Sequence, residues 1–330
     1  MSIVVAGSIA YDYIMSFPGR FREHILPDKL DTVSLSFLVD SMRRERGGVA
    51  PNIAYSLSLL GERPRVMGTV GQDFADYRAW LEAHHIDTSA ILTIDDDFTA
   101  SFFCSTDREN NQIANFYTGA MAKAALLSFK DQDPASIEMA VISPNDPTAM
   151  VQYVRECHEL DIPYLYDPSQ QIVRLSGESL CEGISGAAVL VVNEYEFGMI
   201  EKKTGLSLDE ITDLADTVII TQGAEGSLIL SAGERYEIPI VVPRTLAEPT
   251  GVGDGFRAGI LKGCVHGYPW PVAGRLGSLV AAYVLEQHGT QNHTFTLPEF
   301  VHRFRAEFGT DKTYEPVLKH LLTFAKENNA

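Results

Sequence analysis

The sequence predicts an α/β protein: a three-layer α/β/α arrangement on a central, mostly parallel sheet, with a small β lid. Three observations predict it. Short apolar runs rich in β-branched residues alternate with longer stretches of helical periodicity. Most runs are continuously apolar, the pattern of strands buried on both faces. Several end in a small or polar residue, and ligands of open α/β sheets bind beyond the carboxyl ends of the strands.

The clearest strands are residues 3–6, 65–70, 139–142, 164–166, 189–192, 218–220 and 227–230. Their polar endings are Gly7-Ser8, Ser143, Asp167, Asn193 and Thr221. Two stretches break the rhythm. Residues 11–48 carry Pro18, Gly19 and Pro27 with weak helical periodicity. Residues 98–118 hold Phe102, Phe103, Phe116 and Tyr117 around Asn110-Asn111, which reads as a β-hairpin. Together they form the expected lid. With no internal repeat and no linker rich in Gly, Ser or Pro, the expectation is one domain over residues 1–330.

The formal net charge is -18. Such a surface repels polyphosphate, which argues against nucleic acid and anionic membranes as partners. Any phosphate site must then be built locally, from backbone N–H groups, a helix N-terminus and a metal ion. Cys104, Cys157, Cys181 and Cys264 are scattered without a CxxC pair, so reduced thiols are expected, not a disulfide framework or zinc site. There is no signal-peptide pattern at the start and no run of about 18 apolar residues. A cytoplasmic protein is expected.

The most informative segment is Glu248-Pro249-Thr250-Gly251-Val252-Gly253-Asp254-Gly255-Phe256-Arg257-Ala258-Gly259. It follows a strand-like run, 238–242, and leads into a helix over 256–261. Gly251 and Gly253 allow close backbone approach and expose N–H groups at the helix start, a geometry that holds a phosphate. Asp254, just inside the turn, is placed to take a proton from an alcohol as its oxygen attacks phosphorus. The alternative is an ordinary glycine turn with an aspartate favourably near a helix N-terminus.

In the second segment, Gly47-Gly48-Val49-Ala50-Pro51-Asn52, paired glycines precede a helix on which Ile53, Leu57 and Leu60 recur at helical spacing. Gly61 fits its C-terminal stop. Asn52 offers a donor and an acceptor, which suits a sugar diol, or else hydrogen-bonds locally near the helix start.

Gly47-Gly48…Asn52 early and Thr250-Gly251-Val252-Gly253-Asp254 late resemble the two signatures of the PfkB carbohydrate kinases, the ribokinase-like family. That resemblance implies further roles. Asp12 would grip sugar hydroxyls together with Gly47, Gly48 and Asn52. Asn193-Glu194-Tyr195-Glu196 resembles the family's Asn-x-x-Glu element, with Glu196 organising Mg²⁺ through water. Thr221-Gln222-Gly223-Ala224-Glu225-Gly226-Ser227 resembles the segment that contacts the nucleotide, so Asn193, Thr221, Gly223, Gly226, Gly251 and Gly253 would bind ATP. Gly251, Val252 and Gly253 would form the anion hole beside Asp254, the implied base.

Within the family the chain resembles bacterial nucleoside or adenosine kinases in Gly7-Ser8-Ile9-Ala10-Tyr11-Asp12, Phe21-Arg22-Glu23-His24-Ile25-Leu26-Pro27, Asn111-Gln112-Ile113 and Phe116-Tyr117-Thr118-Gly119-Ala120-Met121. This implies a nucleoside acceptor, with Gln112 among its contacts and lid aromatics to stack on a base. Glu248-Pro249 departs from the family's Asp-Thr, and Val252 and Gly255 replace small alanines. The alternatives are a ribose, fructose or sugar-phosphate kinase, the last needing lid cations such as Arg43, Arg44 and Arg46, or a non-catalytic nucleoside-binding protein. Monovalent-cation activation stays open, as does monomer against homodimer, since a lid edge can pair or stay solvated.

Overall fold

A computed structural model of the chain describes residues 2–25, 31–32 and 34–327. Leu26 and Pro27 of the segment resembling nucleoside kinases lie outside them.

Nine strands make the central sheet: β1 (Ser2–Ala6), β4 (Arg65–Gly71), β5 (Ile91–Ile94), β8 (Ile137–Ile142), β9 (Tyr164–Tyr166), β10 (Val189–Asn193), β11 (Thr217–Thr221), β12 (Ser227–Ser231) and β13 (Glu234–Ile238). Their order is β13-β12-β11-β10-β9-β8-β1-β4-β5. Every pairing from β5 to β11 is parallel, and only the β11–β12–β13 meander is antiparallel.

Strand alternation explains why these runs are apolar throughout. Val4, Ala140, Ile142, Leu190 and Val218 point into one apolar layer. Their neighbours Val5, Met139, Val141, Val191 and Ile219 point into the other. The first layer is closed by α3 (Pro147–Glu159), α4 (Gly177–Ile184), α5 (Glu194–Thr204) and α6 (Leu208–Leu214). The second is closed by α1 (Val49–Leu59), α2 (Ala75–Ala83) and α7 (Val252–Val265). Each Val or Ile so buried contributes about 1.5–3 kcal/mol of transfer free energy. Helix α8 (Trp270–Leu285) crosses α7 so closely that a Cβ on Gly259 would lie 2.2 Å from the Gly277 nitrogen. Behind it pack α9 (Leu297–Phe308) and α10 (Glu315–Glu327).

The second sheet is the lid, in the order β3-β2-β6-β7, from β2 (Ala10–Ser16), β3 (Ser41–Gly47), β6 (Ala100–Thr106) and β7 (Gln112–Tyr117). All but the first residue of β2 fall inside the two stretches expected to form it. The β6–β7 hairpin turns at Asn110, whose φ is 60°. One expectation is corrected: residues 238–242 are not a strand. The strand is β13, ending at Ile238, because Pro239 and Pro243 have no N–H to continue a ladder. Among the described residues no helix is long and apolar enough to cross a membrane.

Candidate active site

A cleft of about 490 Å³ opens between the inner face of the lid and the carboxyl ends of the central strands. Register builds its upper wall. Glu45 of β3, Asp12 of β2, Phe102 of β6 and Phe116 of β7 are directly opposite one another in sequence across the sheet. Side chains in one such row share a face. Asp12, Phe102 and Phe116 all line the cleft, carboxylate at one end and aromatic rings at the other. Phe103 stands on the opposite face, stacked on Tyr13 at 4.7 Å, and the Tyr117 hydroxyl donates to Asp97 at 2.7 Å.

The lower wall begins at the start of α1. Gly48 has φ +94°, and a Cβ there would fall 2.5 Å from the Ser8 carbonyl oxygen. A Cβ on Gly47 would fall 2.5 Å from Asp12 Oδ2, so the paired glycines make room for that carboxylate. Asn52, one turn on, is buried. Its amide donates to Asp254 Oδ2 at 2.8 Å. Its own Oδ1 accepts from Thr290 Oγ1 at 2.8 Å and Gln291 Nε2 at 2.7 Å. Its acceptor oxygen is therefore held by the protein, while one of its two N–H donors orients Asp254; Asn52 also lines the cleft.

Gly251 caps α7 with φ +80°, and a Cβ would sit 2.9 Å from Thr290 Cγ2. The first bond inside the helix is Gly255 N–H to the Gly251 carbonyl, 3.0 Å. Val252 N–H makes only a 3.4 Å contact with the Pro249 carbonyl. The N–H groups of Val252, Gly253 and Asp254 thus belong to the open first turn, where donors and the helix dipole favour an anion. Asp254 is 9% exposed. Burial pushes its carboxyl up to about 6, against the opposing pull of Arg257 and the Asn52 hydrogen bond. Asp12 is also pushed to about 6, by burial and then by Glu248 and Glu45. Glu248 Oε2 accepts from Gly289 N–H at 3.1 Å, tying the loop that carries Thr290 to the glycine turn.

Asn193 and Thr221 are register partners at the ends of β10 and β11. Gly223, with φ +56°, faces open space, whereas Gly226 packs on the Ile238 carbonyl. These four continue the row of strand ends and lie outside the lining of the cleft. Asn193 and Glu196 form a capping box on α5, and Glu196 Oε1 also accepts from Ser169 Oγ at 3.1 Å. Among the described residues no group of three or more His, Cys, Asp or Glu gathers to hold a metal. Glu196, at the start of α5 beside the ends of β10 and β11, fits Mg²⁺, which keeps its waters and binds mainly through substrate phosphates.

Two expectations are not brought together here. Gln112 lies at the far end of the lid, in a groove with Phe21, Arg22 and Ile25. Arg44 and Arg46 lie over the Tyr11 and Trp80 rings, and Arg43 is 3.7 Å from Glu45. Conversely, the sequence reading missed Thr290, Gln291 and the buried Asp167–Arg257 pair, whose partners lie far apart in the chain.

The family pattern described as pfkB family carbohydrate kinase matches residues 2–296. The chain belongs to that family. It is accordingly a phosphotransferase with an alcohol group as acceptor, and kinase membership implies use of ATP. The nucleoside kinase of Methanothermobacter thermautotrophicus is 30% identical, covering 95% of this chain and 97% of that one. The structure of Burkholderia thailandensis nucleoside kinase in complex with inosine is 38% identical with a TM-score of 0.84, covering 94% and 99% of the two chains. Methanocaldococcus jannaschii nucleoside kinase, described as an archaeal member of the ribokinase family, is 28% identical with a TM-score of 0.82, covering 93% and 99%. The ribokinase-like architecture is thus shared across the family members matched.

Proposed function

We propose that this protein is an ATP-dependent nucleoside kinase of adenosine kinase type, phosphorylating the ribose 5′-hydroxyl of a purine nucleoside in the cytoplasm. The observation that carries this is the composition of one row. Asp12 offers a carboxylate for ribose hydroxyls, while Phe102 and Phe116, in register beside it, offer flat faces for a base. A bare sugar leaves the aromatic half of the row without a partner. The names of the relatives point the same way: all three are nucleoside kinases, and one of them was solved with inosine.

In this reading Asp12 and the backbone at Gly48 hold the ribose, and Asn52 fixes the carboxylate of Asp254. That carboxylate takes the 5′-hydroxyl proton as the oxygen–phosphorus bond forms and the bond to ADP breaks. The Val252, Gly253 and Asp254 N–H groups neutralise charge on the transferred group. Glu196 would orient Mg²⁺ through water, and the ion would supply charge neutralisation to the phosphates. Most of the rate then comes from positioning and fixed dipoles. Asn193, Thr221 and Gly223 are assigned to the nucleotide.

The test is an acceptor panel of adenosine, inosine, guanosine, cytidine, ribose, fructose and fructose 6-phosphate, assayed for ADP release with Mg²⁺ present. Purine nucleosides should exceed the free sugars in kcat/KM by at least about 10²-fold. A preference for ribose, fructose or the sugar phosphate would overturn the nucleoside assignment. Calorimetric binding with no phosphorylated product would overturn the enzymatic mechanism.

A further inference from the structure

A charged pair lies inside the protein, under the phosphate-facing turn. Arg257 sits one helical turn beyond Asp254 on α7, with its Nη2 2.6 Å from Asp167 Oδ1 at the end of β9. Its Nη1 is 3.9 Å from Asp254 Oδ1. The two residues of the pair are 8% and 1% exposed. The guanidinium also occupies the space under the turn, since a Cβ on Gly253 would fall 2.6 Å from Nη1.

Such a pair is a poor device for stability. Removing both charges from water costs as much as their attraction returns, and well-packed apolar residues of the same volume do as well or better. This one is also incompletely satisfied: Asp167 Oδ2 and Arg257 Nε are buried without a hydrogen-bond partner. The arrangement makes sense through what the cation faces. Around it stand Asp167 from β9, Glu196 from the start of α5 and Asp254 from α7 itself. Helix α1 contributes the uncharged Asn52 to Asp254, and Asn52 is held from the loop before α9 by the uncharged Thr290 and Gln291. Arg257 is therefore, among the described residues, a cation within ion-pair range of a carboxylate that burial would otherwise neutralise.

We infer that Arg257, clamped by Asp167, is a positioning residue that holds the Asp254 carboxylate ionised and fixed in direction for proton abstraction. The inference rests on the reading of Asp254 as the base. The two oxygens of Asp254 then have separate partners, Asn52 on Oδ2 and the guanidinium facing Oδ1. Asp167 keeps the cation from swinging into the cleft, where it would pair with the substrate phosphates instead. The locally built positive charge demanded by an acidic protein is thus partly a side chain, not only backbone and metal.

The experiment is a pH profile of single-turnover phosphorylation of the acceptor that the panel selects, measured by rapid quench, for wild type, Arg257→Met, Arg257→Lys and the double variant Arg257→Met/Asp167→Asn. An opposite charge at this range lowers a carboxyl by about 1–3 units. Arg257→Met should therefore move the acidic limb of the rate upward by at least about one pH unit. It should lower the rate at pH 7 by roughly 2–100-fold, according to the size of that shift. Nucleoside affinity by calorimetry should change less than about threefold, because Arg257 does not touch the acceptor. Lysine, keeping the charge, should return most of the limb. The double variant removes the Asp167 carboxylate together with its partner cation and guards against a folding defect; its limb should move in the same direction. An unmoved limb in a folded Arg257→Met or double variant overturns the inference. Loss of affinity with an unmoved limb does the same. Asp254→Asn separates the two readings: wild-type turnover in that variant removes the base itself, whereas a dead Asp254→Asn beside an unmoved Arg257→Met removes only the role of Arg257.

Discussion

The amide of Asn52 donates to Asp254 Oδ2 at 2.8 Å, joining two glycine-led signatures that stand 202 positions apart. Each signature opens a helix, α1 and α7, and the hydrogen bond aligns their starts across the cleft floor. The carboxylate is thus oriented by a residue that the family resemblance places on the sugar.

Asp254→Asn should reduce turnover by roughly 10²–10⁴-fold while leaving nucleoside affinity within about threefold. Asn52→Ala should reduce it less, by roughly 10–100-fold at pH 7, with part of the loss recovered at higher pH. The reason is that, without the amide, only Arg257 is left to oppose the effect of burial on ionisation. Steady-state kinetics and calorimetry on the same preparations check both.

The rate should climb as pH rises through about 6 and level off above it, since Asp254 is the group raised to about 6 and only its ionised form accepts a proton. Asp12, also raised to about 6, should give nucleoside affinity the same sign, weakening as pH falls. Glu248→Gln removes one of the charges that raise Asp12, so its affinity profile should shift to lower pH. Titration of Kd between pH 5 and pH 8 reads this, and a shift in the opposite direction would refute it.

Gly251→Ala should destabilise the fold by about 1–3 kcal/mol, because a side chain is strained at φ +80°. It should also lower turnover, as the new methyl presses on Thr290 and through it on Asn52. Urea denaturation and kinetics on one variant separate the two effects.

Away from the site, Lys262 is fully buried and pairs with Glu62, which also accepts from His266 Nε2 at 2.7 Å. Lys262→Met should cost about 3 kcal/mol by leaving that carboxylate short of its partner. Burial opposes the charge on Glu62, but hydrogen bonds from His266 and Lys262 win and hold its carboxyl below the ordinary 4.5. A depressed folded value means stability that is present above that ordinary value and is lost as pH falls through the lowered one. Urea midpoints at pH 7 and pH 4 should therefore differ less in the variant.

How much of this is legible in the sequence depends on whether a residue's role is local. The strand at 189–192 reads directly because both of its faces are apolar. Strand β13, Glu-Arg-Tyr-Glu-Ile, does not, because an exposed edge tolerates charge and carries no periodic signal. Gly48 and Gly251 are legible because positive φ is a local demand. Asp167 and Arg257 are not: one reads as a strand ending and the other as a helix charge, and only the fold brings them within 2.6 Å. Gln112 errs the other way, since a hairpin turn places it at the outer end of a strand whose inner residue, Phe116, meets the cleft.

The row from Asp12 to Phe116 belongs to the small sheet, whereas Asn52, Gly251 and Asp254 belong to helices seated on the large one. A molecule gripped by both acts as a strut, and its length sets the gap between them. Ribose alone would brace one end only, so its hydroxyl would meet the carboxylate in a slack alignment. Discrimination against short acceptors would then surface as slow chemistry more than as weak capture, and water, which braces nothing, would be the poorest acceptor of all.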